Sequence, residues 1–229
     1  MLASDVEPLA PSDARLTVAL FTQRESAGYL GTPASTFGSW ASRTEGQPLI
    51  LTLPRSGGNA VVPFLGFAEA FVLTALRRAG VPMQRIRPAV QHLRREIGLE
   101  HALASKSLFT DGRELLYDYA AEGEASELTE VRTGQQQARE IVDTYLDAIR
   151  FGDDGWASAL TLPNYQHARV VVDPHVAFGL PTVAGNGARV EDIVGRFLAA
   201  EDIDEIAEDF ELDRTAVEDV IRVATRAAT

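Results

Sequence analysis

The chain has no cysteine. That excludes a disulfide framework and any thiolate metal site, and it fits a reducing, cytoplasmic setting. Its four histidines, His92, His101, His167 and His175, show no metal-ligand spacing to one another, so no metal centre is expected. There is no Walker-type phosphate loop, no G-x-S-x-G and no H-E-x-x-H. Gly185-Asn186-Gly187 is too short for a dinucleotide motif. Acidic pairs such as Asp153-Asp154 and Glu208-Asp209 are simplest as solvated charge, because adjacent side chains on a helix do not face each other. The expectation is a protein with no enzymatic activity and no cofactor. No apolar run approaches membrane-spanning length, and no apolar stretch follows a basic N-terminal start, so a soluble, unexported protein is expected.

Apolar residues make up 45% of the 229 positions, enough for a real core. Charge is divided unevenly. Residues 1–110 carry 11 basic and 8 acidic side chains, and residues 111–229 carry 10 and 25. A surface that meets phosphates needs basic groups, so nucleic-acid contact belongs to the first half. The second half is suited to repelling polyanions or meeting a basic partner.

The stretch 21–41, FTQRESAGYLGTPASTFGSWA, reads as two short helices around a tight turn. Thr22 and Glu25 form a T-x-x-E capping box. Ala27 and Leu30 make an apolar face, and Gly31 stops the helix in the left-handed conformation that glycine adopts cheaply. Thr32 is the expected cap of the second helix, with Pro33 at its first position. Phe37 and Trp40, three apart, point inward. This is the plan of a helix-turn-helix, whose second helix enters a DNA major groove, though an ordinary helical hairpin fits the same stretch.

Residues 1–15 read as a flexible tail, with a short strand possible at 16–20. Runs 49–53 and 60–64 flank Pro54-Arg55-Ser56-Gly57-Gly58-Asn59 and read as a β-hairpin, either a DNA-contacting wing tipped by Arg55 and Asn59 or a plain connector. Helices follow at 65–79, where Phe67, Phe71, Leu73 and Leu76 share helical spacing, and at 82–97, striped by Ile86, Val90, Leu93 and Ile97. Arg77, Arg78, Arg85, Arg87, Arg94 and Arg95 cluster here. Guanidinium forks suit phosphate; a solvated helix face is the alternative. Asp111-Gly112 suits a two-residue hairpin turn. A helix is expected at 135–150 and strands at 156–162 and 168–172. After a Pro/Gly-punctuated stretch, helices at 190–199, 203–210 and 214–227 form a compact unit, with Asp202 and Asp213 as caps. Residues 189–229 hold 12 acidic and 5 basic side chains, which points to protein binding or dimerisation rather than DNA. The fold class expected is mainly α with small β-hairpins, α+β.

Two stretches carry a family resemblance. Residues 20–41 together with 64–116, FLGFAEAFVLTALRRAGVPMQRIRPAVQHLRREIGLEHALASKSLFTDGRELL, resemble the MerR-like N-terminal half of long VapB-type antitoxins. Residues 170–221 resemble domain of unknown function 433, with G-x-P-x-V-x-G at Gly179, Pro181, Val183 and Gly185 followed by V-E-D-I-V. The resemblance implies a winged helix-turn-helix unit at 16–119, a connecting segment at 120–168 and an acidic three-helix, homeodomain-like helix-turn-helix unit at 169–229. It implies a type II antitoxin that binds its own promoter DNA as a homodimer and neutralises a VapC-like PIN-domain ribonuclease encoded beside it. On that reading Arg43, Arg55, Arg77, Arg78 and Arg85 hold phosphates, and Ser35, Thr36 and Ser39 lie nearest the bases. Phe197, Leu198, Val217 and Val220 pair two copies. The acidic surface, or the segment 120–170, covers the RNA-binding groove of the toxin. The chain departs from the family pattern twice. Asn186 and Gly187 replace threonine and arginine, and Gly38-Ser39 after Phe37 supplies no arginine for bidentate base readout. A MerR-like regulator without a toxin, or an interaction scaffold that has lost DNA binding, are the alternatives.

Overall fold

The computed structural model describes residues 6–42, 47–54, 60–112 and 130–227. Their order is a short helix α1 (Ala14–Thr17), strand β1 (Ala19–Phe21), helices α2 (Gln23–Leu30) and α3 (Ala34–Ala41), strand β2 (Val62–Pro63), and helices α4 (Phe64–Arg78) and α5 (Met83–Ile97). Then come helix α6 (Glu130–Asp147), strands β3 (Ile149–Phe151), β4 (Ala157–Thr161), β5 (Val170–Val172) and β6 (Thr182–Val183), and helices α7 (Val190–Leu198), α8 (Ile203–Asp209) and α9 (Arg214–Ala227). The α+β class expected from the sequence is the one observed.

Helix α4 is the central post. Every residue from Phe64 to Leu76 is buried, as befits a helix apolar on all sides. Phe67 packs on Phe21 with ring centroids 4.9 Å apart, and Phe71 packs on Tyr145 of α6 at 4.8 Å. The segment before β2 lies directly on this helix. A side chain at Gly66 would put its Cβ 2.0 Å from the Leu51 carbonyl oxygen, so only glycine permits that approach.

The hairpin expected between 49–53 and 60–64 is replaced by a different arrangement. β2 pairs antiparallel with β1 instead, and Leu53 N–H to Val61 O, 2.7 Å, links the two runs. The physical reason is competition for backbone groups. Arg94 donates to the carbonyls of Pro48 and Leu49 at 3.0 and 2.9 Å, and Arg87 donates to Gln47 O at 3.1 Å. The Leu51 N–H goes to the Glu69 carboxylate at 2.6 Å. Groups bonded this way are not available to a ladder. Residues 55–59, including Arg55 and Asn59, lie outside the described residues, as does Arg43.

Other expectations shift. The strand expected at 16–20 is helical to Thr17, and β1 begins at Ala19. The described part of the N-terminal segment is tied down: Val6 is buried, Trp156 donates to Glu7 O at 2.7 Å, and Arg15 bridges Asp13 and Asp154. Asp111-Gly112 ends a π-helical turn, Leu108–Gly112, rather than a hairpin. There Gly112 is hemmed in by Leu93 and Leu108. Residues 149–150, expected at a helix end, belong instead to the edge strand Ile149–Phe151. The four strands β3-β4-β5-β6 make one antiparallel sheet in sequence order, with Leu160 opposite Val172 and Val170 opposite Val183. Helix α9 packs on α7 and α8 and also on α2, so the acidic unit sits against the first helix of the helix-turn-helix.

Candidate nucleic-acid interface

The helix-turn-helix forms from local signals. Thr22 Oγ1 accepts the Glu25 N–H at 3.1 Å, and the Glu25 carboxylate accepts the Thr22 N–H at 2.7 Å. The capping box is complete. Gly31 takes the left-handed cap with φ +61°. Thr32 does not cap α3; its hydroxyl pairs with that of Thr74 on α4 at 3.2 Å, and Pro33 occupies the cap position without a side-chain hydrogen bond. Phe37 and Trp40 are fully buried, with rings 5.9 Å apart, and Trp40 Nε1 donates to Met83 Sδ at 3.3 Å. Two aromatic anchors therefore fix which face of α3 turns outward.

That outward face carries Ser35, exposed, and Thr36, Gly38 and Ser39, half-buried. Ser39 Oγ donates to the Thr36 carbonyl at 2.7 Å, so its hydroxyl is partly committed to the helix. Gly38 is open: an added Cβ meets only Gln23 Oε1, at 3.9 Å.

The arginines divide into two groups. Arg87 and Arg94 are structural, clamping residues 47–49 as described. Arg94 also lies 3.5 Å from the buried Glu69 carboxylate. Arg77 and Arg78 are exposed at the end of α4, where cations favour the helix dipole. Each spends one donor inward, Arg77 to Val81 O at 2.7 Å and Arg78 to Leu30 O at 3.2 Å. Arg78 also stacks over Tyr145 at 5.5 Å. Arg95 bonds back to Gln91 O at 3.3 Å. Arg85 is half-buried on α5.

A cleft of about 1080 Å³ opens where α2 and the turn meet the β4–β5 loop and α9. Arg24, Arg78 and Arg222 line it, with Gln23, Asn164 and Gln166. Arg24 is exposed in the first turn of α2 and makes no ion pair among the described residues. Arg222 pairs with Asp219. Neither Arg24 nor Arg222 stood out in the sequence, because each is a lone arginine outside the cluster on α4 and α5. Only folding brings them to one cleft. Asn164 Nδ2 donates to Tyr29 O at 2.9 Å, fastening the β4–β5 loop to α2. Burial, with Glu25 and Glu191 nearby, pushes the Tyr29 hydroxyl up to about 12.

Two of the histidines have carboxylate neighbours. His101 Nδ1 lies 3.1 Å from Glu69 Oε1, and His175 is exposed beside Asp173. Among the described residues no group of three His, Asp or Glu is placed to hold a metal ion, and no helix is long and apolar enough to cross a membrane. Of the residues expected to pair two copies, Val217 and Val220 are fully buried in the chain's own core. Phe197 is half-buried, and Leu198 is 71% exposed.

Comparison with known proteins places these features. A family profile described as "Putative DNA-binding HTH domain" matches residues 19–90, and one described as "Protein of unknown function (DUF433)" matches residues 170–224. The chain is 42% identical over 215 residues to "Putative antitoxin VapB45" of Mycobacterium tuberculosis, covering 86% of this chain and 90% of that protein. The crystal structure of Rv2018 from Mycobacterium tuberculosis, 40% identical, superposes with a TM-score of 0.75 over 90% of this chain and 99% of that one.

Proposed function

Because the chain belongs to the VapB antitoxin family, we propose that it neutralises a PIN-domain ribonuclease toxin and, as a homodimer in the cytoplasm, represses its own promoter. The observation that carries the reading is the joining of two unlike surfaces. A helix-turn-helix, with Ser35 outward and Phe37 and Trp40 inward, is docked through α2 against a unit with 12 acidic and 5 basic side chains over residues 189–229. One surface suits DNA; the other repels it and suits a basic protein.

On the DNA side, Ser35, Thr36 and Ser39 face the base edges, while Arg24, Arg77, Arg78 and Arg85 reach phosphates, and Arg43 and Arg55 are assigned the same role from the sequence. Phosphate contacts position the protein and the groove-facing side chains specify the site. A dimer making about six to eight phosphate contacts gives a steep salt dependence, with log K falling about five to seven units per tenfold rise in salt. On the toxin side, the acidic surface covers the groove that binds RNA, so inhibition is occlusion aided by charge mimicry. Leu198, with Phe197 beside it, is the part of the expected pairing set that a second copy can reach.

The experiment is co-expression of the tagged chain with the product of the adjacent reading frame, followed by an RNase assay. Co-purification with cleavage silenced is the expected result. A toxin that still cleaves RNA at saturating antitoxin overturns the reading.

A further inference from the structure

Phe178 is 90% exposed, the most exposed large apolar side chain among the described residues. It sits at φ 57°, and Ala177 before it at φ 47°. Two successive residues with side chains in the left-handed region are unfavourable, because Cβ crowds the following carbonyl. The turn is nonetheless firmly braced. Val176 N–H bonds to Asp173 O at 3.0 Å, Gly179 N–H to Val176 O at 2.9 Å and Leu180 N–H to Ala177 O at 3.1 Å. The Asp173 carboxylate accepts the His175 N–H at 2.9 Å and a guanidinium N–H of Arg150 at 2.6 Å. Val176, two residues away, is 41% exposed. The fold thus holds a phenyl ring in solvent, on a strained and rigid turn, where a glycine or asparagine would close the same turn with less strain. Strain held in this way gathers at sites that bind, and rigid aromatic side chains are the usual anchors of protein interfaces.

The surroundings say what the ring meets. Beside Phe178 lies a hollow of about 590 Å³ lined by Asp192, Asp209, Glu211, Phe210 and Arg189. Arg189 is tied to Asp192 and Glu191, and the nearby Arg196 to Glu201 and Asp209. Residues 189–211 carry nine carboxylates against these two arginines. Such a rim excludes nucleic acid and selects a cationic surface.

We infer that the turn at 175–178 is the anchor by which the toxin docks: Phe178 enters an apolar socket on a basic protein surface while Asp192, Asp209 and Glu211 face its cationic rim. This rests on the toxin partnership proposed above. It narrows the acidic half of the chain to one contact.

The test uses the full chain and the product of the adjacent reading frame, with affinity measured by calorimetry and melting temperature measured in parallel. Three single variants are compared with wild type: Phe178→Gly and Phe178→Asn, which both relax the backbone, and Glu211→Lys. Either Phe178 variant is expected to bind at least 30-fold more weakly while melting at the same or a higher temperature and binding promoter DNA unchanged. Glu211→Lys is expected to weaken binding, with a smaller dependence of affinity on salt. Binding by both Phe178 variants within twofold of wild type overturns the anchor and leaves the toxin partnership standing. Loss of thermal stability in both reassigns the ring to the fold. Loss of wild-type self-association in the Phe178 variants, with toxin binding intact, reassigns it to a contact between copies. If wild type itself does not bind, the partnership fails and the anchor with it.

Discussion

Asp219, on α9, holds one carboxylate oxygen 2.6 Å from the backbone nitrogen of Gln166. The same oxygen accepts the N–H groups of His167 and Ala168 at 2.8 and 3.1 Å, and the other pairs with Arg222. Only 2% of this residue is exposed. The fold uses it to clamp α9 to the β4–β5 loop, which Asn164 in turn fastens to α2.

Burial opposes ionisation of Asp219, but the converging N–H groups and Arg222 outweigh it and hold the carboxyl below its ordinary value of 3.8. A carboxylate with a depressed folded pKa adds stability above its unfolded pKa, and that stability disappears as pH falls through the folded value. Asp219→Ala is expected to cost about 3 kcal/mol near neutral pH, since it orphans buried donors. Its penalty should shrink below about pH 4. Denaturant melts of wild type and variant from pH 7 to pH 3 check this, and a penalty that stays constant across that range contradicts it.

His101 shows the opposite sign. Burial lowers its pKa, but the Glu69 carboxylate beside it raises the net value above 6.5. Its contribution is complete below the unfolded value of about 6.5 and is lost as pH rises through the folded one. Wild type is therefore expected to lose stability on going from pH 6 to pH 8, by at most about 1.4 kcal/mol per pH unit. His101→Asn should flatten that slope. Thermal melts at half-unit pH steps give the comparison.

Two glycines differ in what a methyl group would meet. Gly66→Ala drives Cβ to 2.0 Å from the fixed Leu51 carbonyl, so about 3 kcal/mol or more should be lost as the 47–51 segment is pushed off α4. Gly31→Ala meets the end of the Arg78 side chain at 2.8 Å and Asn164 Nδ2 at 3.4 Å, side-chain atoms rather than backbone, and should cost about 1–2 kcal/mol, the left-handed penalty. Equal melting temperatures for the two would contradict the close approach at α4.

Arginines that look alike in sequence should behave differently on DNA. Arg24→Ala is expected to leave folding intact, weaken promoter binding on all sequences alike and reduce the salt slope by about one unit per protomer. Arg94→Ala should destabilise the fold instead, because it removes the donor to the Pro48 and Leu49 carbonyls and the cation beside the buried Glu69. Circular dichroism followed by a salt series of anisotropy titrations separates the two.

Gly38 offers a gain of function. Space beside it is open, and a glycine within a helix costs about 1 kcal/mol relative to alanine. Gly38→Arg should raise the melting temperature and strengthen DNA binding about tenfold or more by adding a groove-facing guanidinium. Weaker binding in the same anisotropy assay would place α3 away from the groove.

What the sequence determined by itself is local. The capping box at Thr22 and Glu25, the left-handed stop at Gly31, the inward pair Phe37 and Trp40, and the apolar stripes of α4, α5 and the last three helices all depend on residues within a few positions of one another. Spacing along the chain therefore states them completely. What only the tertiary structure decided is choice of partner. Arg94 bonds to backbone about 45 residues away, Asp219 to a loop more than 50 residues away, and Thr32 leaves its expected cap for Thr74. A guanidinium or carboxylate bonds to whichever unsatisfied group folding brings within about 3 Å, and local periodicity carries no record of that. Strands β4 and β5 fall within the runs at 156–162 and 168–172 that the sequence marks, but for the same reason their assembly with β3 and β6 into one sheet and the docking of α9 on α2 are not legible from the residues that form them.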